Sequence, residues 1–192
     1  MPMEIVSLRR RFLPFYVPDM TSAPLRFAIK FVVGFTILMG AFEASRGSPF
    51  ERFLVQDLIL VPTTHLINAI SPNEHAELVG RTITSAGSSL RVTRGCEGIE
   101  MFILLVTAIL AFPASFKQRL KGLFYGAVLA YVLSVARLIA LHYILRYSPG
   151  AWESLHGLLL PLGPIVLLAL FFMRWSAATV SGSRPSPEAR AT

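Results

Sequence analysis

The chain has 192 residues, of which 54% are hydrophobic and only 15% are charged, with a formal net charge of +7 at pH 7. Soluble domains carry about a quarter charged residues, so the composition excludes an ordinary soluble domain and indicates contact with lipid. The basic residues lie beside apolar segments and form no polar stripe, which argues against nucleic acid as a partner.

Four apolar segments are long enough, or nearly so, to cross a bilayer. They cover residues 24–42, 96–112, 122–145 and 157–173. A fifth stretch, 53–70, is interrupted by Asp57, Pro62 and His65. It is interpreted as an amphipathic interfacial helix or a re-entrant piece, because a full span would bury Asp57 and break near Pro62.

The residue types change in the segment that precedes the second span. Two runs rich in β-branched residues, 79–84 and 90–93, flank the small residues 85–89. This pattern predicts a small β-hairpin. The hairpin has to lie outside the hydrocarbon, because an open sheet edge there has no hydrogen-bond partners.

The predicted fold is an all-α membrane protein, a polytopic bundle of about four to five transmembrane helices with a small extracytoplasmic β-hairpin. One integral membrane domain covers residues 1–175. Residues 176–192 are rich in Ser, Pro, Ala and Arg, a composition that predicts a disordered cytoplasmic tail.

The distribution of basic residues predicts the orientation of the bundle. On one side of the membrane the short flanks of the spans are rich in basic residues, whereas on the other, outer side the basic residues are offset by acidic ones. The positive-inside rule therefore makes both termini cytoplasmic and places the hairpin and the connection at 148–155 outside. The short flanks on the inner side carry Arg9, Arg10, Arg11, Arg26, Lys30, Lys117, Arg119, Lys121 and Arg174.

Three polar residues from distant segments fall at the outer face of this bundle. Cys96, the only cysteine, opens the second segment, and His156 precedes the fourth at the same end. Arg137 lies ~22 Å along the third segment, in the outer half of a hydrocarbon core ~30 Å thick. An arginine within a span costs at least ~2.5 kcal/mol to insert, so Arg137 is a candidate for function or for an ion pair. Its expected partner is Glu100, one turn from Cys96.

These residue types support acyl transfer. A thiolate is a nucleophile, an imidazole can pass a proton to a leaving amine, and a guanidinium can stabilise an oxyanion. The alternative for Cys96 is a small buried hydrophobe. Three further imidazoles, His65, His75 and His142, remain open, and His142 ranks below His156 because it lies on a rotated helix face. Motifs for zinc, serine-hydrolase or nucleotide chemistry are absent, so no cofactor or metal is expected.

The motif order resembles the exosortase/archaeosortase family. That family has a Cys-x-Gly motif opening a span, then an Arg inside the next span and a His opening the following one. Here these positions correspond to the segment Cys-Glu-Gly at 96–98, Arg137 and His156, with a basic loop at 117–122. The resemblance covers residues 91–175. This chain departs from the family at Ser134, where Asn is common, and at Glu97, where a small or amide residue is common.

The resemblance implies a bacterial inner-membrane cysteine protease or transpeptidase with its active site facing the periplasm. Its substrates would be exported proteins with a C-terminal sorting signal made of a short motif, a transmembrane helix and a basic cluster. Cys96 would be the nucleophile, Arg137 the cation that orients substrate or stabilises the oxyanion, and His156 the general acid/base. Glu100 and Arg94 would support them, and membrane lipid would surround the bundle.

Two other functions stay open at this point. One is a non-catalytic membrane scaffold or assembly partner, in which Arg137 and Glu100 only hold helices together. The other is a small-molecule transporter, which the low number of spans and the lack of inverted repeats disfavour.

Overall fold

The computed structural model describes residues 22–93, 95–152, 155, 157 and 160–181, and it shows a mostly helical protein with a small antiparallel sheet. Four of its helices are long and apolar enough to cross a membrane, and α3 is shorter. The predicted fold class is thus confirmed. The main elements are α1 Ser22–Ala44, α2 Pro49–Ile70, β1 Glu77–Val79, β2 Thr82–Ser85, β3 Ser88–Arg91, α3 Ile99–Ala111, α4 Phe116–Tyr147 and α5 Leu160–Ser181.

An aromatic cluster joins four helices at one end of the bundle. Phe27 of α1 packs against Phe112 after α3 and against Phe172 of α5. Trp175 packs on Phe112 and donates its indole N–H to the carbonyl of Gln118 at 3.2 Å. We call this the basic end and the opposite one the sheet end. The basic residues that flank the four helices at the basic end are Arg26, Lys30, Lys117, Arg119, Lys121 and Arg174.

Helix α3 is the central helix of the bundle and packs against α1, α4 and α5. Small residues allow this close approach. A Cβ on Gly126 of α4 would lie 2.8 Å from Leu105, and one on Gly34 of α1 would lie 3.0 Å from Thr107. With 13 residues, α3 extends only ~20 Å, about 10 Å less than a hydrocarbon core. The loop that precedes α3 is therefore recessed into the bundle.

A three-stranded antiparallel meander covers the sheet end. Ile83 at its centre pairs with Leu78 and Leu90, and it is fully buried. The predicted hairpin is present as β2 and β3. Strand β1 was not predicted, because the turn at Gly80, with φ +61°, lies inside the run that was taken as a single strand.

Helix α2 is continuous, so the break expected at Pro62 is wrong. Residues Phe53–Leu60 form a π-helix, and the chain returns to α-helical geometry at Val61, next to the proline. The missing N–H of Pro62 thus falls where the hydrogen-bond register changes anyway. The hydroxyls of Thr63 and Thr64 donate to carbonyls one turn earlier, at 2.7 and 2.9 Å.

Contacts at its two ends join α2 to the sheet and to α4. Near its start, Glu51 pairs with Arg81, which also pairs with Glu97 beside Cys96. Just after its end, Ser71 hydrogen-bonds to Tyr143 of α4 at 2.8 Å. Helix α2 extends ~30 Å between these contacts. Helix α2 is one of the four helices long and apolar enough to cross a membrane, and its interpretation as an interfacial or re-entrant piece stays a prediction.

Helix α5 continues through residues 176–181, which the sequence analysis placed in the disordered tail. That part of the prediction is wrong, because the run Ser-Ala-Ala-Thr-Val-Ser extends the helix before the first proline of the tail. The remainder of the predicted tail and the arginines at 9–11 lie outside the described residues.

A buried carboxylate joins the sheet layer to the sheet end of α4. Glu74, in the turn before β1, accepts hydrogen bonds from Tyr147 at 3.0 Å and from Arg146 at 3.3 Å. The imidazole of His142 lies 3.8 Å from the same carboxylate. Arg146 also packs onto Gly87 between β2 and β3, where a Cβ would overlap its guanidinium. We call these contacts the Glu74 clamp.

The Glu74 clamp predicts an acid-sensitive sheet layer. Burial opposes ionisation of Glu74, but hydrogen bonds from Ser85, Tyr147 and Arg146 and the charge of Arg146 outweigh it, so its pKa lies below the ordinary value of 4.5. A lowered pKa in the folded state means that the stabilisation is present above the ordinary value and is lost as pH falls through the lowered one. Glu74→Gln should therefore lower the melting temperature at pH 7 and less so towards pH 4.

The measurement is the apparent melting temperature of detergent-solubilised protein from pH 7 to 4. Glu77→Gln, at an exposed carboxylate of β1, is the control and should differ little from wild type. A deficit in Glu74→Gln that is constant across this range would contradict the role of the charge.

Candidate active site

The loop before α3 holds Cys96 between two glycines in the left-handed region. Gly95 has φ +80° and Gly98 has φ +82°, a conformation that L side chains rarely adopt. The Cys96 N–H donates to the carbonyl of Thr93 at 3.1 Å, and its Sγ lies 3.6 Å from Thr93 Oγ1. The Cys96 side chain is buried, with 7% of the residue exposed. The two glycines therefore produce a tight turn that places the thiol inside the bundle.

Gly98 sets the depth of this turn by packing against α4. A Cβ on Gly98 would overlap with the hydroxyl of Ser134. That hydroxyl is itself held, since it donates to the carbonyl of Ala130 at 2.9 Å. Position 98 therefore requires glycine for two reasons, the positive φ and the lack of space for a Cβ against Ser134. The position where the resembled family often has Asn lies directly against the Cys96 loop.

Arg137 reaches the same loop from α4, one turn beyond Ser134. It is 6% exposed, and its Nη1 donates to the carbonyl of Gly95 at 3.3 Å. Its Nε is buried and has no hydrogen-bond partner among the described residues. The structure thus brings Cys96 and Arg137 to one cavity across 41 positions of sequence.

Glu100 lies near this pair but does not form the predicted ion pair. No nitrogen of Arg137 lies within 4.0 Å of a Glu100 oxygen, both residues being described. Gly95 separates them: its carbonyl accepts from Arg137, and a Cβ on it would lie 3.3 Å from Glu100 Oε2. The predicted ion pair between Arg137 and Glu100 is wrong because the turn places the backbone carbonyl of Gly95 where the carboxylate was expected.

Two of the predicted site residues, His156 and Arg94, lie outside the described residues. The residue that follows His156, Gly157, lines the same cavity as Cys96 and Arg137. The assignment of His156 as general acid/base therefore stays a prediction.

The other three histidines lie away from the cavity that Cys96 lines. His142 is fully buried in the Glu74 clamp, on the sheet side of α4. His65 and His75 are exposed. In the described part of the chain, no group of three or more His, Cys, Asp or Glu side chains could hold a metal ion.

A cavity of about 700 Å³ opens beside Cys96 and Arg137 between α1, α3 and α5. Its polar residues, Thr93, Cys96, Glu100 and Arg137, gather at one end. From Glu100 the α3 wall runs ~12 Å to Ala108, towards the basic end. The remaining described walls are apolar: Phe27, Phe31 and Phe35 from α1, and Pro161, Ile165, Leu168, Ala169 and Phe172 from α5.

Sequence reasoning missed the ion-pair network that holds Glu97. This carboxylate is 5% exposed and pairs with Arg81 from the turn between β1 and β2. Arg81 also pairs with Glu51 of α2 at 3.0 Å. A glutamate at the start of an apolar segment needs a cationic partner if it is buried. The sequence could therefore have predicted an ion pair for Glu97. Which arginine at the sheet end supplies this cation, however, depends on the β1–β2 turn, which was not predicted.

Comparison of the chain with protein families, with curated proteins and with solved structures gives no match.

The packing of Gly98 predicts a large effect of a single methyl group. Gly98→Ala combines a left-handed φ with overlap on Ser134, so it should destabilise the protein by about 1–3 kcal/mol. Gly40→Ala is the control, because a Cβ on Gly40 of α1 meets nothing within 4 Å. The stability of both variants is measured in detergent by size-exclusion chromatography after heating, as the temperature at which half of the monodisperse peak is lost.

Adding Ser134→Gly to Gly98→Ala removes the overlap but not the strain in φ. The double variant should recover part of the lost stability. A Gly98→Ala protein as stable as Gly40→Ala would show that the loop does not have the described geometry.

Proposed function

We propose that this protein is an exosortase-like membrane cysteine peptidase or transpeptidase that cleaves C-terminal sorting signals of exported proteins. One observation carries the proposal. Cys96 and Arg137, from separate segments, line the polar end of a cavity whose other described walls are apolar. A site for cleaving a peptide beside a membrane helix needs both parts, a reacting group at the polar end and an apolar groove beneath it.

The proposed reaction begins with attack by the Cys96 thiolate on the scissile carbonyl. The guanidinium of Arg137 stabilises the oxyanion of the tetrahedral intermediate, and its buried Nε–H, which has no acceptor among the described residues, is a suitable donor. The C–N bond then breaks, and His156 delivers a proton to the leaving amine. The product is a thioester between Cys96 and the N-terminal part of the substrate. Water or an acceptor amine resolves it and regenerates the thiol.

The shape of the cavity supports a substrate with an apolar helix. Its α3 wall spans ~12 Å from Glu100 to Ala108, about two turns of a substrate helix. The phenylalanines of α1 and the small residues Ala108 and Ala169 give this groove its apolar walls. A peptide motif just outside such a helix would meet Cys96 at the polar end.

The charge distribution supports the proposed location in a bacterial inner membrane with both termini in the cytoplasm. The basic flanks gather at one end of the bundle, and the sheet and Cys96 lie towards the other. By the positive-inside rule the basic end is cytoplasmic. Cleavage would then occur at the periplasmic face, after export of the substrate domain.

Loss of the thiol or of the guanidinium should stop processing. In cells that co-express a tagged exported protein with a C-terminal transmembrane helix and basic residues, Cys96→Ser should abolish the size change seen by immunoblot. Arg137→Gln should reduce the rate at least ~100-fold, the usual effect of removing an oxyanion donor. Arg91→Gln, at an exposed arginine of β3, is the matched control and should process normally.

Membrane levels of each variant are compared in the same cells. Continued processing by Cys96→Ser at the wild-type rate would overturn the proposal and favour a scaffold that works beside another protease.

Filling the groove should block substrate without disturbing the thiol. Ala169→Trp places a bulky ring in the cavity wall on α5, whereas Val166→Trp, three residues earlier on an exposed face that is not part of the cavity, is the control. Processing should fall about tenfold or more in Ala169→Trp only, because a misplaced substrate reacts slowly. Alkylation of Cys96 by a small water-soluble maleimide should be similar in both variants. Normal processing by Ala169→Trp would place the substrate helix elsewhere.

A further inference from the structure

The charges around Cys96 form a nearly balanced set in the described part of the chain. Glu97 adjoins it in the loop, Glu100 follows on α3, and Arg137 approaches from α4. Arg81 comes from the sheet and pairs with both Glu97 and Glu51 of α2. The cavity residues of α1 and α5 are uncharged.

Glu97 is the carboxylate of this set that adjoins Cys96 in the chain. Its carboxylate is buried and belongs to the residue next to Cys96. A nearby negative charge disfavours a thiolate, and low-dielectric surroundings strengthen that effect. The guanidinium of Arg81 places a positive charge directly against this carboxylate. The same ion pair fixes the side chain of the loop residue that lies between Cys96 and Gly98.

Arg81 can serve in this way because the fold holds it in place from three directions. Its carbonyl accepts the N–H of Val92 at 2.9 Å, which joins the β1–β2 turn to the segment that leads into the Cys96 loop. Its guanidinium binds Glu51 on one side and Glu97 on the other. Its side chain is only about one-third exposed. Sheet, α2 and loop are thus linked through one cation.

We propose that Arg81 is a positioning residue for the Cys96 nucleophile, acting through Glu97 by neutralising its charge and holding the loop. The importance of Arg81 for catalysis rests on the proposed function. The effect of Arg81 on the reactivity of the Cys96 thiol does not depend on any substrate. It also explains how this chain carries a glutamate beside Cys96, where the resembled family often has a small or amide side chain. The acid and its cation function together.

The single cysteine makes a direct test possible, since every thiol signal comes from Cys96. Purified full-length protein in detergent is alkylated with a small maleimide from pH 6 to 10, and the rate is followed by intact mass. Arg81→Gln removes the cation that pairs with Glu97, so the midpoint of the rate–pH curve should move upward, with the rate at pH 7.5 falling about threefold or more. Arg81→Lys keeps the charge and should retain most of the wild-type rate.

The double variant Arg81→Gln/Glu97→Gln separates charge from disorder of the loop. Removing both charges should return the midpoint close to that of wild type, as expected for coupled residues. Arg91→Gln, at an exposed arginine of the same sheet, should leave the curve unchanged. If the double variant stays as slow as Arg81→Gln, or if Arg81→Gln has the wild-type curve, the proposed role of Arg81 is wrong.

Substrate processing is measured on the same variants. If Arg81→Gln processes substrate slowly and the double variant recovers, Arg81 also supports catalysis through Glu97. Two results together would separate the proposals. If Arg81→Gln shifts the alkylation curve but Cys96→Ser still processes the substrate normally, Arg81 acts on the thiol as proposed and the proposed peptidase function is wrong.

Discussion

The hydrogen bond from Arg137 to the carbonyl of Gly95 is the contact on which the arrangement of the site depends. It buries a cation inside a membrane helix, which is costly unless the charge has partners. A single carbonyl at 3.3 Å is a modest partner, and the Nε–H remains unused within the described structure. A guanidinium held beside a buried thiol with a donor to spare suits a transient oxyanion better than a permanent ion pair.

Short helix α3 and the glycines around Cys96 make that contact possible. Because α3 begins well inside the bundle, its leading turn reaches the level of Arg137. Gly98 lets the turn press against Ser134, and Gly95 presents its carbonyl to the guanidinium. The sheet layer then closes over this recess, held to α4 by Glu74 and to the loop by Arg81. Site and fold are therefore stabilised by the same few polar contacts.

Much of this fold was predictable because lipid makes strong demands on sequence. Apolar length gave the spans, and the intramembrane charge of Arg137 marked the site. Details that depend on tertiary contact were not predictable. Pro62 was expected to break α2, but a π-helical segment absorbs it. Glu100 was paired with Arg137 by spacing alone, whereas backbone geometry at Gly95 separates them. The partner of Glu97 lies in a turn whose position no local pattern indicated.

The most direct test of the account is a search for the covalent intermediate. Purified protein is mixed with an exported substrate that carries an N-terminal tag, the reaction is quenched in acid, and the peptide that contains Cys96 is analysed by mass spectrometry. The account predicts the N-terminal fragment of the substrate bound to Cys96 through a thioester that hydroxylamine removes. Cleavage of the substrate without such an adduct, at a rate that Cys96→Ser retains, would contradict it.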